Sequence, residues 1–172
     1  HLALLDKAAA LSGWGKSPAP GRAYGMAFSD YGGSYTAGVV EISLDQESGQ
    51  IKVHKVWAAV DAGVVVQPDN AIAQMEGGIV MGISSVLQES ITFKNGQVQQ
   101  SNFHDYPILR MADCPESIEI SLMPSSLPPT SLGELSLPLM GGAITNAFLK
   151  LTGKALRHMP FTPAKVLEVL SK

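Results

Sequence analysis

Three short stretches of this chain concentrate residues with usable chemistry. In Ser131-Leu132-Gly133-Glu134-Leu135-Ser136-Leu137-Pro138-Leu139, one carboxylate stands among leucines with no Lys or Arg close in sequence. A carboxylate in apolar surroundings has its ionised form disfavoured, which moves its pKa towards the range useful to a general base. A loop glutamate is ordinarily solvated and inert. Here Gly133 leaves room for close approach, and Leu132, Leu135, Leu137 and Leu139 demand cover, so Glu134 is the candidate base.

The second stretch, Gln74-Met75-Glu76-Gly77-Gly78, reads as part of a helix. Its bland interpretation is an amphipathic core helix with Gln74 and Glu76 on the polar face. The third, Ser101-Asn102-Phe103-His104-Asp105-Tyr106-Pro107, packs an amide, an imidazole, a carboxylate and a phenol into one turn. Asn and Asp side chains bonding their own backbone explain most such turns without function. Adjacent His104 and Asp105 are poorly placed as base and orienter, and no G-x-S-x-G serine accompanies them.

The elements that must position these residues follow from the pattern. Residues 1–12 have helical spacing, with Leu2, Leu5, Ala9 and Ser12 predicted on one face, and Gly13 to Gly21 is a loop. Its GKS resembles the end of a phosphate-binding loop, but the leading glycine that motif needs would fall at Ala10, and no strand precedes it. From Arg22 to Asp61 the composition favours strands broken at Gly32-Gly33 and turned at Ser48-Gly49. In the last of them Ile51, Val53, Lys55 and Trp57 alternate with Lys52, His54 and Val56, which places His54 at a surface or rim.

A helix is predicted from about Asn70 to Gln88 with Asp69 as N-cap. It holds Gly77, Gly78 and Gly82, each disfavoured by roughly 1 kcal/mol relative to Ala. Tight packing against another backbone, or close approach of a ligand, would offset that. Asn95-Gly96 marks a hairpin, SNFHDYPILRM a loop and strand, SIEISLM a strand, and PSSLPPTSLGE a proline-rich loop. LMGGAITNAFLKLTG reads as a helix ending at Gly153, LRHMPF as a short extended piece, and Thr162-Pro163 as the start of a last helix. The absence of a regular βαβ alternation makes the fold class α+β, with mixed strands, hairpins and packed helices.

Bulk properties exclude several functions. The 172 residues suit a single domain, 1–172, in which 1–20 form an N-terminal helix and linker. Charged residues are only 16% of the chain, against about 25% in ordinary soluble domains, as expected for a part of a larger protein whose surface is largely covered. The net charge of -3 and scattered basic residues offer no stripe for nucleic acid. No apolar run reaches the roughly 20 residues that span a bilayer. The start HLALLDKAAALSGWG has neither the basic region of a signal peptide nor an initiator Met, which is expected of a fragment. One cysteine, Cys114, excludes an internal disulfide or a cysteine-ligated metal site from this chain alone. It reads as a packing residue.

In order, VDAGVVVQPDNAIAQMEGGIVMG, SNFHDYPILRM and LGE…AITNAFLKLTGKALRHMPF resemble the C-terminal region of the molybdopterin-binding large subunit of molybdenum hydroxylases. The similarity runs from about Gly21 to Phe161. It is of the isoquinoline 1-oxidoreductase beta-subunit type, within the xanthine oxidase and aldehyde oxidase superfamily. The resemblance implies a molybdenum held by the sulfurs of a pterin cofactor, in the cytosine dinucleotide form, so that protein thiolates are not needed. It implies a glutamate, Glu134 by motif, that takes a proton from a molybdenum-bound hydroxyl attacking an electron-poor carbon. It implies cofactor contacts from Gln74, Gly77 and Gly78 and from Asn102, Phe103, His104, Asp105 and Tyr106, with Glu76 structural.

Further implications are the remainder of a longer subunit, a small-molecule substrate (an aldehyde or N-heteroaromatic compound), and a partner subunit carrying [2Fe-2S] clusters. The site would lie between domains, so the chain alone is expected to fold without holding the cofactor. One departure stands out. After the glutamate the family commonly shows Gly-Val-Pro-Pro and then Ala-Pro-Ala, whereas this chain has Leu135 to Leu139 and Met140-Gly141-Gly142-Ala143. A non-catalytic assembly domain of the same fold is the competing expectation.

Overall fold

A computed structural model describes residues 1–172. The elements in chain order begin with helix α1 (Leu2–Ser12) and strands β1 (Arg22–Tyr31), β2 (Ser34–Leu44) and β3 (Ile51–Asp61). Helix α2 (Pro68–Leu87), the short strands β4 (Phe93–Lys94) and β5 (Gln97–Val98), and strand β6 (Ser117–Leu122) follow. Helices α3 (Leu139–Thr152) and α4 (Pro163–Leu170) complete the chain.

The first three strands form an antiparallel meander, and β6 adds beside β3 in parallel, giving the order β1-β2-β3-β6. This is a mixed α+β fold. Central strand β2 is buried on both faces because helices cover both sides of the sheet. On one face α1 sets Leu4 and Ala8 against Ala37, Val39 and Ala59. On the other, Val40, Ile42, Val53 and Val56 meet Ile79 and Ile83 of α2, Ile144 and Phe148 of α3, and Val166 of α4. Each such large side chain contributes roughly 1.5–3 kcal/mol when fully buried. Helix α3 lies directly on the β1 backbone. A side chain at Gly25 would begin 2.0 Å from the Ala143 carbonyl oxygen, so only glycine permits the approach.

The turn chemistry follows the sequence. Asn95 and Gly96 both have positive φ, 53° and 75°, and close the β4–β5 hairpin. Gly153 caps α3 in the left-handed conformation, and Thr162 with Pro163 opens α4. The turn into β3 is fixed by Asp45, whose Oδ1 accepts the N–H of Glu47 and Ser48 at 2.9 and 3.2 Å. Those bonds hold its carboxyl below the usual carboxylate range.

Several local expectations are corrected. The buried side of α1 is Leu4, Ala8 and Ser12, while Leu2 is 77% exposed. In so alanine-rich a helix two stripes are equally apolar, and the sheet selects one. Helix α2 starts at Pro68, whose fixed φ and missing N–H suit a first turn. Gln67 is the N-cap in place of Asp69, and accepts the Asp69 N–H at 3.0 Å. Residues 107–110 form no strand: Pro107 lacks a donor, the Leu109 N–H goes to Ser84 Oγ, and Met111–Asp113 make a 3-10 turn.

The largest correction concerns His54. Lys55 pairs with Glu41 and Val53 with Ile42, so His54 is the extra residue of a β-bulge. The bulge resets the alternation, and Ile51, Val53, Val56 and Ala58 all reach the same core. His54 is buried, with Nε2 2.7 Å from Ser43 Oγ and Nδ1 3.1 Å from Glu116 Oε1. Arg22 bridges Glu116 to the buried Glu41 at 3.9 and 3.3 Å. The order Ser43–His54–Glu116 is that of a hydrolase triad, but neither Ser43 nor His54 lines a principal cleft. The cluster serves to pin the bulge.

Candidate functional site

Two of the three chemically rich stretches meet. Gln74, on the outer side of α2, donates from Nε2 to the Gly133 carbonyl at 2.7 Å, bridging 59 positions of sequence. Ser136 Oγ donates to the Met75 carbonyl at 3.0 Å in a buried contact. Leu135 is fully buried with Val60 and Met75, and Leu132 packs against them. The residues on either side of Glu134 are therefore anchored to α2 and β3. The leucines are covered as expected, but Glu134 itself points outward and is exposed. No Lys, Arg or His of the chain pairs with its carboxylate. The apolar enclosure expected around the carboxylate is not supplied by this chain.

Tyr31, at the end of β1, faces the same carboxylate. The nearness of Glu134, as a hydrogen-bond acceptor and then as a negative charge, raises the phenol's pKa from its ordinary value. The sequence carries no motif for this residue. The one available signal is the Gly32-Gly33 pair behind it, which marks a tight turn that must end somewhere specific.

The three helix glycines divide by role. A side chain at Gly78 would begin 2.2 Å from Ser136 Oγ, and one at Gly82 2.6 Å from the Leu137 carbonyl oxygen. These two are buried where the Glu134 loop lies on the helix. Gly77 is exposed with nothing within 4 Å. It shares the outer stripe with Gln74 and Met81, which is 62% exposed. Glu76 is half-buried. Beside this stripe a cleft of about 280 Å³ is lined by Gln67, Asn70, Gln74, Thr130 and Leu132 among others.

The third stretch lies elsewhere. Asp105 accepts the Ser101 and Asn102 N–H groups and the Ser101 hydroxyl at 2.9 to 3.1 Å. The Asn102 bond comes first among the causes that lower its pKa. Asn102 Oδ1 accepts the Phe103 N–H at 2.8 Å. Tyr106 donates to Glu89 Oε2 at 2.8 Å, and that bond raises the phenol's pKa. Phe103 and His104 are left exposed. The turn is docked beyond the C-terminal end of α2, while Gln74 is 13 residues before that end. At 1.5 Å per residue the two sets are about 20 Å apart along the helix.

The departure from the family pattern falls on the inner side of the loop. Leu135, Leu139 and Met140 are fully buried, and Gly142 faces Ala27 of β1. Most of the altered apolar side chains pack the core, whereas Pro138 and Glu134 face out.

No three His, Cys, Asp or Glu side chains come together as a metal-binding group. A metal that brings ligands of its own, as one held by a dithiolene does, needs none from this face. Exposed Gln74, the open backbone at Gly77 and the outward carboxylate fit such a group.

Residues 9–115 match the family described as the molybdopterin cofactor-binding domain. The beta chain of isoquinoline 1-oxidoreductase from Brevundimonas diminuta is 40% identical over 165 residues, covering 94% of this chain and 21% of that protein. That alignment is long enough to run through the Glu134 loop. A nicotinate dehydrogenase subunit from Pseudomonas putida is 30% identical over 144 residues, 83% of this chain and 12% of that protein. Quinoline 2-oxidoreductase from Pseudomonas putida 86 shares the fold with a TM-score of 0.73 at 21% identity, over 81% of this chain and 19% of that one. The aldehyde oxidoreductase of Desulfovibrio gigas does so at 0.71 and 23% identity, over 81% and 16%. The chain spans about one fifth of the length of the first of these curated relatives. By both the matched segment and the relatives, it belongs to the molybdopterin cofactor-binding domain family.

Proposed function

We propose that this chain is the part of a molybdenum hydroxylase that supplies the general base, Glu134, and one wall of the cofactor site. The enzyme would oxidise an aldehyde or N-heteroaromatic carbon with oxygen derived from water. The observation that carries the reading is the Gln74–Gly133 bond, which ties the cofactor-type helix to the base loop and leaves the carboxylate outward and without a cation. The relatives' names fit: one is an isoquinoline oxidoreductase and another a nicotinate dehydrogenase.

The residues divide the work as follows. When bound, the molybdenum cofactor supplies the activated oxygen and accepts two electrons. Glu134 would take up a proton at its outward carboxylate, and the anchored Leu135 and Ser136 hold its backbone still. Gln74 and Gly77 present a donor and an open backbone along one stripe of α2. Gly78 acts indirectly, by letting the base loop lie on the helix.

Asn102, Phe103 and His104 reach the same ligand only if it is elongated along α2, as a pterin dinucleotide is, and the family resemblance implies its cytosine form. Asp105 and Tyr106 shape that turn from within. Electrons leave through [2Fe-2S] clusters on a partner subunit, and the remaining polypeptide closes the site over Glu134.

The test uses the full holoenzyme. Glu134→Gln should lower turnover by about 10²-fold or more while molybdenum and pterin contents stay at wild-type levels. Near-normal turnover would remove Glu134 from the base role. Cytidine monophosphate should appear on mild hydrolysis of the released cofactor, and its absence would exclude the cytosine form.

A further inference from the structure

The exposed carboxylate of Glu134 poses a problem of aim. A glutamate side chain loses considerable rotamer freedom when fixed, and a base must sit within hydrogen-bond reach of its proton. The anchors described above hold the backbone of residues 133–136, not the carboxylate.

The β1–β2 hairpin meets this need. Along β1, alternate residues Gly25, Ala27, Ser29 and Tyr31 share the face on which α3 lies. Gly25 meets Ala143 and Ala147, and Ala27 meets Gly142, so moving up β1 means moving towards the start of α3. Continued to the end of the strand, that course brings Tyr31 towards the turn that precedes α3, in which Glu134 stands.

The hairpin tip is latched there independently of Tyr31. Ser34 Oγ and Thr130 Oγ1 are 2.7 Å apart, and the Ser131 N–H donates to the Gly32 carbonyl at 3.5 Å. Gly32 has a φ of 57°, and a side chain there would begin 2.7 Å from Ser131 Cβ. The base loop also donates from the Thr130 N–H to the Ala62 carbonyl at 2.9 Å, fixing it to the end of β3.

We infer that the β1–β2 hairpin is a positioning arm for the base, and that Tyr31 is its positioning residue, donating its phenol hydrogen to the Glu134 carboxylate. This rests on the assignment of Glu134 as base. A rigid ring with two torsions, set on a latched strand, restricts the carboxylate more cheaply in entropy than a long flexible donor would. Tyr31 is 46% exposed and its ring is not part of any core cluster, so removal of the hydroxyl leaves the packing intact.

The experiment is a double-mutant cycle on the full holoenzyme, read by single-turnover reduction with substrate. Tyr31→Phe should slow the reductive step about tenfold, the worth of one hydrogen bond to a charged group, with the substrate's KM within about twofold. In the Glu134→Gln background the same substitution should have no further effect. A rate within twofold of wild type for Tyr31→Phe, or an equal loss in both backgrounds, overturns the inference.

A second measurement needs no turnover. In the apoprotein, the tyrosinate absorbance that Tyr31→Phe removes should titrate at lower pH once Glu134 is Gln. An unmoved midpoint shows that the phenol and the carboxylate do not interact, and overturns it too. If Glu134→Gln is slow and Tyr31→Phe is normal, only the positioning arm falls. If Glu134→Gln is itself normal, the base assignment falls and the arm falls with it.

Discussion

The two ends of α2 carry polar residues of similar content and opposite wiring. Beyond its C-terminal end, Asp105 bonds two backbone N–H groups and a hydroxyl, Asn102 bonds Phe103, and Tyr106 bonds Glu89. On its N-terminal half, Gln74 holds the base loop, and the Glu134 carboxylate faces out with Tyr31 beside it and no cation. A polar group whose bonding capacity is met inside the chain shapes the chain. One left outward on an anchored backbone is available to something else. By that criterion the Ser101–Tyr106 turn is mainly a structural device presenting Phe103 and His104, and the Glu134 loop is the stronger candidate for the working site.

Opposite isosteric substitutions can break this contrast, and the largest effect is expected at Glu134. Glu134→Gln should abolish most turnover and leave the melting temperature unchanged, because the carboxylate supports no packing. Asp105→Asn should do the reverse, lowering the melting temperature at neutral pH while the enzyme that remains folded still turns over. Thermal unfolding beside steady-state assays decides between them. Loss of turnover in Asp105→Asn at an unchanged melting temperature would put the chemistry at the wrong end of the helix.

A pH series sharpens the same comparison with a smaller effect. The Asp105 carboxyl is held below its ordinary value by accepted hydrogen bonds, chiefly from Asn102. A carboxyl with a depressed folded-state pKa stabilises above its unfolded pKa, near 4, and that contribution is lost as pH falls through the folded value. The gap in melting temperature between wild type and Asp105→Asn should be full at pH 6 and shrink below about pH 4. Glu116, depressed first by its bond to His54, adds to the same acid loss. A gap constant from pH 6 down to acid pH would mean that the Asp105 carboxylate does not carry the turn.

How much of this was visible in the residues depended on the range of the interaction. Asn95-Gly96, Gly153 and Thr162-Pro163 act within a few positions, and each marks the turn or helix end its chemistry demands. The bulge at His54 does not, because the extra residue is defined by which partner β2 offers, and alternation within β3 alone looks regular. The Gln74–Gly133 bond spans 59 positions and the Ser34–Thr130 contact 96, beyond any local pattern. Glu134 stood out by its neighbours. Tyr31, which faces it, did not, since a tyrosine at a strand end is ordinary until the topology brings α3 back across β1.

The smallest predicted effects separate two adjacent glycines and bring the comparison down to one helix turn. Gly78→Ala places a methyl group against Ser136 Oγ, so the hydroxyl has to leave the Met75 carbonyl or the loop has to lift. Overpacking of this kind costs about 1–3 kcal/mol, more than the helix gains from losing a glycine. Gly77→Ala meets nothing within 4 Å. It should stabilise the chain by about 0.5–1 kcal/mol through backbone entropy alone. If the outer stripe of α2 faces the cofactor, that same methyl group should lower the fraction of enzyme that retains molybdenum, although the protein is more stable. Denaturant titration of the apoprotein and metal analysis of the holoenzyme read the two quantities separately. A Gly77→Ala enzyme that is more stable and fully loaded would show that nothing approaches the helix at Gly77, and the cofactor face would have to be sought on another side of α2.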